Sequence, residues 1–524
     1  MKRIVISFRL RPYAFSSPSI PLDLGNRYAI RRELGVGVAC VMAPSHYVKS
    51  REAEYSRWYL IDGRPYLPKI NADASLSRFD GDDVLRSRLF SGGTMSVIDV
   101  AVCTVLPALR AAMAYNATDI GQGASLASLS SVEDPPPLGG YTFTYYELFT
   151  KLLTSSKLTC TKITGGITNA LYRVSGFLAL KSDLLETQRE DDYQLLLLNA
   201  NLIDFDSVLV RVFGAEGMIN RDVETSTYSA LCDANIAYRH IGRFGNGRVE
   251  GWLDGYVPLL STDLANGTYS LEIAKELAKM HTSFTLPPES ELANHHSNVG
   301  LWDQLRSWMT QAKGYVEFKT PSDTERVRKL ELDIIEMEVQ NLLSSFTTND
   351  EEGGNNEDGV NKNKKERIVF CHNDLLAGNI MRHEGTNKIQ LIDFEYGGTN
   401  YAAFDIANHW NEHAGGTSAE ENGNTDYTRF PTAERQLSFC VEYVKTARAL
   451  TTPDETTTTN DTKNGDDDLQ LEAQELLEDV KKFLLVNHLY WGLWAINQAA
   501  EEGCDGFDYI NFATSRFNEF HAKK

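Results

Sequence analysis

Cysteine is scarce in this chain: seven among 524 residues, at Cys40, Cys103, Cys160, Cys232, Cys371, Cys440 and Cys504, with no C-x-x-C pair. That excludes a disulfide-stapled scaffold and a zinc ribbon, and it points to a reduced, cytoplasmic setting. Positive charge is also short, with 51 Lys and Arg against 72 Asp and Glu and a formal charge of −21. Nucleic acid and anionic membrane both demand a basic surface, so neither is an expected partner, whereas a small cation is. An uninterrupted membrane-length apolar run is missing too. The nearest approach, Ser96 to Tyr115, is broken by Asp99, Pro107 and Arg110 and reads as a buried or amphipathic helix, without stable membrane insertion. What remains, 42% hydrophobic and 23% charged residues, is ordinary for a globular protein of roughly two to four domains.

The first 140 residues are the least informative. Lys2, Arg3, Arg9 and Arg11 precede the first acid, Asp23, a pattern shared by transit peptides and N-terminal strands. A boundary falls at the turn-rich ASLSS and Pro135 to Pro137. Residues 1–140 are therefore an extension of unknown role, 141–255 a first domain, and 256–524 a second. Acidic low-complexity insertions near 347–366 and 451–468 interrupt the second.

Beyond the boundary, LTCTKITGGITNALYRVSG alternates around Gly165-Gly166 and reads as two strands joined by a glycine turn. Backbone amides there can approach phosphate closely, with Thr168 and Asn169 as added donors; most such hairpins are only hairpins. SVLVRVFG is a strand centred on Arg211, and RDVETSTYSALCDAN a helix carrying Glu224. Together they offer either a cation and acid that grip nucleotide phosphates or a plain salt bridge. AYRHIGRF and RVEGWLDG are further strands, and Gly251 to Leu253 is where a hinge against adenine falls. Helical spacing predicts a helix through Ile273, Leu277, Met280 and Phe284, with His281 structural, and another from Glu325 to Phe346 burying Val327, Leu330, Ile334 and Met337.

The chemistry concentrates between Val369 and Glu412: VFCHNDLLAGNIM, IQLIDFEYGG and NYAAFDIANHWNE. Phosphoryl transfer needs a carboxylate at the acceptor hydroxyl and oxygen ligands for Mg²⁺ against the phosphates. Asn379 and Asp393 suit the metal, leaving Asp374 as base. H-x-D-x-x-x-x-N followed by an apolar strand and I-D-F is similar to the catalytic loop and metal-binding Asp of protein kinases.

GGITN, LVRVFG, CHNDLLAGNI, IDFEYGGTNYAAFDIANHWNE and LYWGLWAINQA occur in that order, and from about Lys157 to His521 the chain resembles the choline/ethanolamine kinase family. HNDLLAGNI and NHWNEHAG are more similar to ethanolamine kinases. The resemblance implies an α+β, protein-kinase-like bilobal fold, with a small β-rich nucleotide lobe, a large helical catalytic lobe, and ATP and Mg²⁺ as cofactors. It implies phosphorylation of ethanolamine, the first step toward phosphatidylethanolamine by the CDP-ethanolamine route, and suggests a homodimer. A choline or dual-specificity kinase, or an inactive kinase fold serving as a binding module, are the alternatives.

Carried onto this chain, the resemblance makes Asp374 the base and Asn379 and Asp393 the metal ligands. Arg211 takes the ATP-binding place of the protein-kinase lysine, and Asp405 braces the catalytic loop. A cationic alcohol calls for aromatic faces and a carboxylate. Tyr396, Glu412, Trp491, Trp494 and Tyr509 stand at the family's substrate positions. Phe512 replaces a tyrosine common in choline kinases and removes a hydroxyl.

Overall fold

The alternating segments around Arg211 pair as a twisted sheet because each offers one apolar face at a two-residue period. The computed structural model describes residues 60–61, 64–67, 71–73, 94–106, 155–163, 169–186, 203–214, 220–285, 292, 296, 299–351, 367–451 and 462–524. The expectations for the N-terminal basic segment, the Pro135 to Pro137 boundary, Gly165, Gly166, Thr168 and the acidic tract after Glu351 lie outside the described residues. The chain forms two compact units. One takes in described residues before Met218 together with Tyr238–Leu253, and the other Ile219–Ala237 with Asp254–Lys524.

The first unit is built on a seven-stranded sheet in the order β1-β2-β8-β9-β7-β6-β5. Its strands are β1 (Leu60–Ile61), β2 (Arg64–Leu67), β5 (Thr159–Ile163), β6 (Asn169–Ser175), β7 (Ser207–Phe213), β8 (His240–Phe244) and β9 (Gly247–Gly251). Every pairing is antiparallel except that of β2 with β8. A separate parallel pair joins β3 (Asn71–Asp73) to β4 (Thr94–Ser96). Helix Val97–Val105, from the run read as buried or amphipathic, is buried and shares a core with Val174, Phe177, Val208, Val210 and Val249. Thus described residues on both sides of the boundary read near Pro135 belong to one unit. Gly247 allows the β8–β9 turn to close, since a Cβ there would collide with the Arg211 carbonyl and the Phe244 ring.

The second unit is mainly helical. Helix Arg221–Asp233, capped by Asn220, belongs to it rather than to the sheet unit where the sequence division placed it. Helix Ser270–Ser283 buries Ile273, Leu277 and Met280, as its spacing predicts, with Phe284 buried just beyond it. The single helix expected from Glu325 to Phe346 is corrected to two, Pro321–Arg328 and Leu332–Glu351. Glu331 adopts a left-handed φ of 50° between them, which a helix cannot carry. The second helix restarts out of phase: Ile335, Val339 and Leu343 are buried, while Ile334 and Met337 face solvent. It also reaches Glu351, and helix Thr462–Glu502 begins inside the second low-complexity tract, so both insertions are shorter than their composition suggested. From Val486 to Ala499 that helix is buried on nearly every side, the mark of a central core helix. Gly503, at φ 82°, ends it and returns its amide to the Ala499 carbonyl. Helices Ala402–Asn411 and Tyr509–Lys523 pack along it.

Small strands frame the catalytic loop. β11 (Ile368–Cys371) pairs with β14 (Gly398–Tyr401), while β12 (Ile380–His383) lies between β10 (Tyr256–Pro258) and β13 (Ile389–Leu391).

Candidate active site

β11 delivers the chain into His372, Asn373 and Asp374, where the backbone turns sharply. Asn373 has a φ of 67°, a left-handed conformation that asparagine tolerates. The turn is held by Asp405 in the first turn of helix Ala402–Asn411, whose two carboxylate oxygens accept from the His372 and Asn373 amides, each at 2.7 Å. Asn373 donates to the Tyr396 carbonyl at 2.9 Å and accepts from Asn400 at 2.8 Å. Behind Asp405, His281 Nε2 lies 3.0 Å from its Oδ2 and His281 Nδ1 lies 2.8 Å from the Tyr443 hydroxyl. Cys371 sits within metal-ligating reach of His281 and Asp405. Burial pushes its thiol well up, however, and the thiol donates to the Tyr401 carbonyl at 3.4 Å. The cluster is therefore a brace, which fits the structural reading of His281.

Asp374 and Asn379 meet directly. The Asn379 amide nitrogen donates to both the carbonyl and the carboxylate of Asp374, at 2.9 Å each, so that its amide oxygen is the atom that could face a cation. Asp393 follows β13 in a left-handed conformation, φ 64°. Burial raises the Asp374 carboxyl well above the usual range, and Glu412, Glu395 and Asp393 push it further, against the Asn379 hydrogen bond. Such a concentration of acids is stabilised by cations. The all-oxygen set of Asn379 and Asp393 fits a hard divalent ion.

The aromatic residues expected at the acceptor converge in the same unit. Trp494 Nε1 donates to the Tyr396 hydroxyl at 2.9 Å. Ring centroids run Tyr396 to Trp491 at 5.4 Å, Trp491 to Trp494 at 5.3 Å and Trp494 to Tyr509 at 5.7 Å, all edge-to-face. Tyr509 is fixed by its hydroxyl, which donates to Glu502 at 2.8 Å. Glu412 directly follows the 402–411 helix and is 4% exposed. One of its oxygens accepts from Arg516 at 3.2 Å and the other has no hydrogen-bond partner among the described residues. Phe512 is buried beneath the Arg516 guanidinium, 5.5 Å from its ring centroid.

The predicted nucleotide residues are distributed over both units. In the first, Arg211 donates through Nε to Glu250 at 2.9 Å, and Arg248, opposite it on β9, donates to the same oxygen at 2.7 Å. Burial alone would raise the Glu250 carboxyl; the two guanidinium groups overcome this and lower it to about 2. Asn169 opens β6, and Gly251 closes β9 with its amide on the Arg239 carbonyl. Leu253 is the last residue of this unit. In the second unit, Glu224 accepts from Arg221 at 2.9 Å, and Arg221 also reaches Glu395 at 3.3 Å.

Sequence reasoning missed Glu395, Glu250, Arg248, Arg516 and Asn487. A signal was present for Asn487, a polar residue inside an apolar helical run after Leu484-Leu485-Val486.

Comparison with known proteins gives this arrangement its relatives. The sequence model of the choline/ethanolamine kinase family matches residues 160–521. An Arabidopsis thaliana protein named "Probable choline kinase 2" is 33% identical over 319 residues, 60% of this chain and 77% of that one. A second Arabidopsis thaliana protein, named "Probable ethanolamine kinase", is 29% identical over 380 residues, 71% of this chain and 81% of that one. Among solved structures, a Plasmodium vivax ethanolamine kinase superposes with a TM-score of 0.51 at 24% identity, covering 74% of this chain and 91% of its own. The fold is thus protein-kinase-like, and the catalytic loop, bracing aspartate and aromatic cluster lie on it in the order read from sequence. The chain belongs to the choline/ethanolamine kinase family.

Proposed function

We propose that this protein transfers the γ-phosphoryl group of ATP to the hydroxyl of ethanolamine, yielding phosphoethanolamine and ADP. The observation that carries this reading is Glu412, a buried carboxylate with one oxygen that has no hydrogen-bond partner among the described residues, in the same unit as Asp374 and the Tyr396, Trp491, Trp494 and Tyr509 rings. An ammonium group donates hydrogen bonds to such an oxygen while its methylenes lie against the rings. Asp374 accepts the hydroxyl proton as the alcohol oxygen bonds to phosphorus and the bond to the ADP oxygen breaks. Its raised carboxyl suits it to proton transfer nearer neutral pH. Asn379 and Asp393 would hold Mg²⁺, which when bound would neutralise charge on the phosphate oxygens. Gly165, Gly166, Thr168, Asn169, Arg211, Glu224, Gly251 and Leu253 are the proposed nucleotide contacts.

A choline kinase is the second reading, supported by the identity to a relative bearing that name and by aromatic faces that also suit a trimethylammonium group. Measuring kcat/KM for ethanolamine and choline on one preparation, with and without Mg²⁺, tests both. Ethanolamine is expected to be preferred; a choline preference of about tenfold, or roughly 1.4 kcal/mol, overturns the ethanolamine assignment.

A further inference from the structure

We propose that Arg516 is a positioning residue for acceptor binding: it fixes Glu412 through one carboxylate oxygen so that the other is presented to the alcohol's ammonium group. This rests on the reading of the protein as an amino-alcohol kinase. Three elements build the device. Arg516, on helix Tyr509–Lys523, has no exposure to solvent and spreads its fork between two residues. Nη1 donates to Glu412 Oε1 at 3.2 Å and Nη2 to Asn487 Oδ1, on helix Thr462–Glu502, at 2.6 Å. Asn487 Oδ1 also accepts from Asn411 at 2.9 Å, and Asn411 is the residue before Glu412. The hydrogen bonds and the 411–412 peptide close a ring, so Glu412 cannot turn without breaking a buried contact. Glu412 Oε2 stands outside that ring with no hydrogen-bond partner among the described residues.

Charge supports the same role. The Glu412 carboxyl is raised above its ordinary value: burial raises it most, Arg516 lowers it through its charge and hydrogen bond, and Glu421 raises it. Asp374, from the catalytic loop, is itself pushed up by Glu412. Among the other groups close to the pair, burial holds His413 and His409 on the segment of Glu412, and His488 on the central helix, well toward neutral. Tyr427 is raised by burial against the influence of Arg516. Arg516 is thus the cation that keeps Glu412 able to receive another, and its second arm fixes where it does so.

The test uses the full chain and the variants Arg516→Gln, Arg516→Lys, Asn487→Ala and Glu412→Gln. Arg516→Gln is expected to lower kcat/KM for the preferred alcohol by about tenfold or more while KM for ATP stays within about twofold. The acid limb of its kcat/KM profile should move to higher pH, because Glu412 loses the charge that favours ionisation. Arg516→Lys should recover part of the loss, and Arg516→Gln should add little on a Glu412→Gln background. Equal effects on both substrates, an unmoved acid limb, or additivity with Glu412→Gln overturns the proposal. Should Arg516→Gln fail to fold, Asn487→Ala keeps the charge and is expected to raise the alcohol KM alone; a parental KM and pH profile overturns the proposal. Difference infrared titration of the Glu412 carboxyl, parent against Glu412→Gln and again on the Arg516→Gln protein, reads the coupling without turnover. If the parent phosphorylates neither alcohol the amino-alcohol reading fails, whereas a Glu412 titration unmoved in Arg516→Gln overturns the Arg516 role itself.

Discussion

Asp374, the proposed base, lies among other acids that raise its carboxyl. Replacing it by Asn keeps the shape and the contact with Asn379 but removes the proton acceptor. Asp374→Asn is expected to lower kcat by about 10²- to 10⁴-fold without lowering the melting temperature; parental activity would refute the base assignment. The same crowding gives a pH prediction. Asp374 must be ionised to accept a proton, and its carboxyl is raised first by burial and then by Glu412. The kcat profile at saturating alcohol should therefore fall, on acidification, at a higher pH than an ordinary aspartate dictates. In Glu412→Gln that limb should move to lower pH, and a pH–rate profile on both proteins checks the direction. The sequence exposed Asp374 because its chemistry needs a fixed spacing to Asn379 and Asp393. Glu395, immediately beyond Asp393 and Phe394, was equally visible, but nothing in its spacing marked it as a partner of Arg221.

Among the elements, β7 and β9 are locked by more than their backbone ladder. Arg211 and Arg248 clamp Glu250, and breaking such a buried cluster leaves an uncompensated charge. Glu250→Gln is expected to cost about 3–5 kcal/mol of unfolding free energy at neutral pH, measured by urea titration. Because the folded carboxyl is lowered from 4.5 to about 2, its contribution is complete above the unfolded value and disappears as the pH falls through about 2. The parent and the Gln variant should therefore converge in stability at low pH. The helix Ala402–Asn411 has a comparable role at the catalytic loop. Asp405→Ala orphans two buried amides at about 1–3 kcal/mol each and should also reduce kcat. Strands and helix faces were legible wherever their period was regular, as in the helix through Ile273, Leu277 and Met280. The break at Glu331 was not, since one residue's backbone angle leaves no trace in hydrophobic spacing. Nor was the Glu250 clamp, whose members Arg211 and Glu250 lie 39 residues apart.

For the whole molecule, the surplus of 21 negative charges is a long-range attraction for cations. If it assists capture, KM for the amino alcohol should rise with ionic strength as the Debye length contracts from about 30 Å at about 0.01 M to about 8 Å at about 0.15 M salt. A KM flat across that range assigns the attraction to the buried carboxylates alone. The fold itself was legible because five separated blocks kept their order across some 360 residues. The β1 and β2 additions to the sheet were not, because strands of two and four residues carry too little pattern to read.

The left-handed turns at Asn373 and Asp393 bear on how this gene can drift. Only glycine, asparagine and aspartate enter that conformation at small cost, and β-branched residues are the most strongly refused. At position 393 the proposed metal ligand needs the carboxylate as well, so backbone and proposed role both select aspartate. At 373 the demands separate: the side chain bridges Tyr396 and Asn400, while the backbone asks only for a permissive residue. A saturation library should consequently be nearly invariant at 393 but admit glycine and aspartate at 373 as weakened survivors. The bend, more than the chemistry of the side chain, would then be what inheritance preserves there.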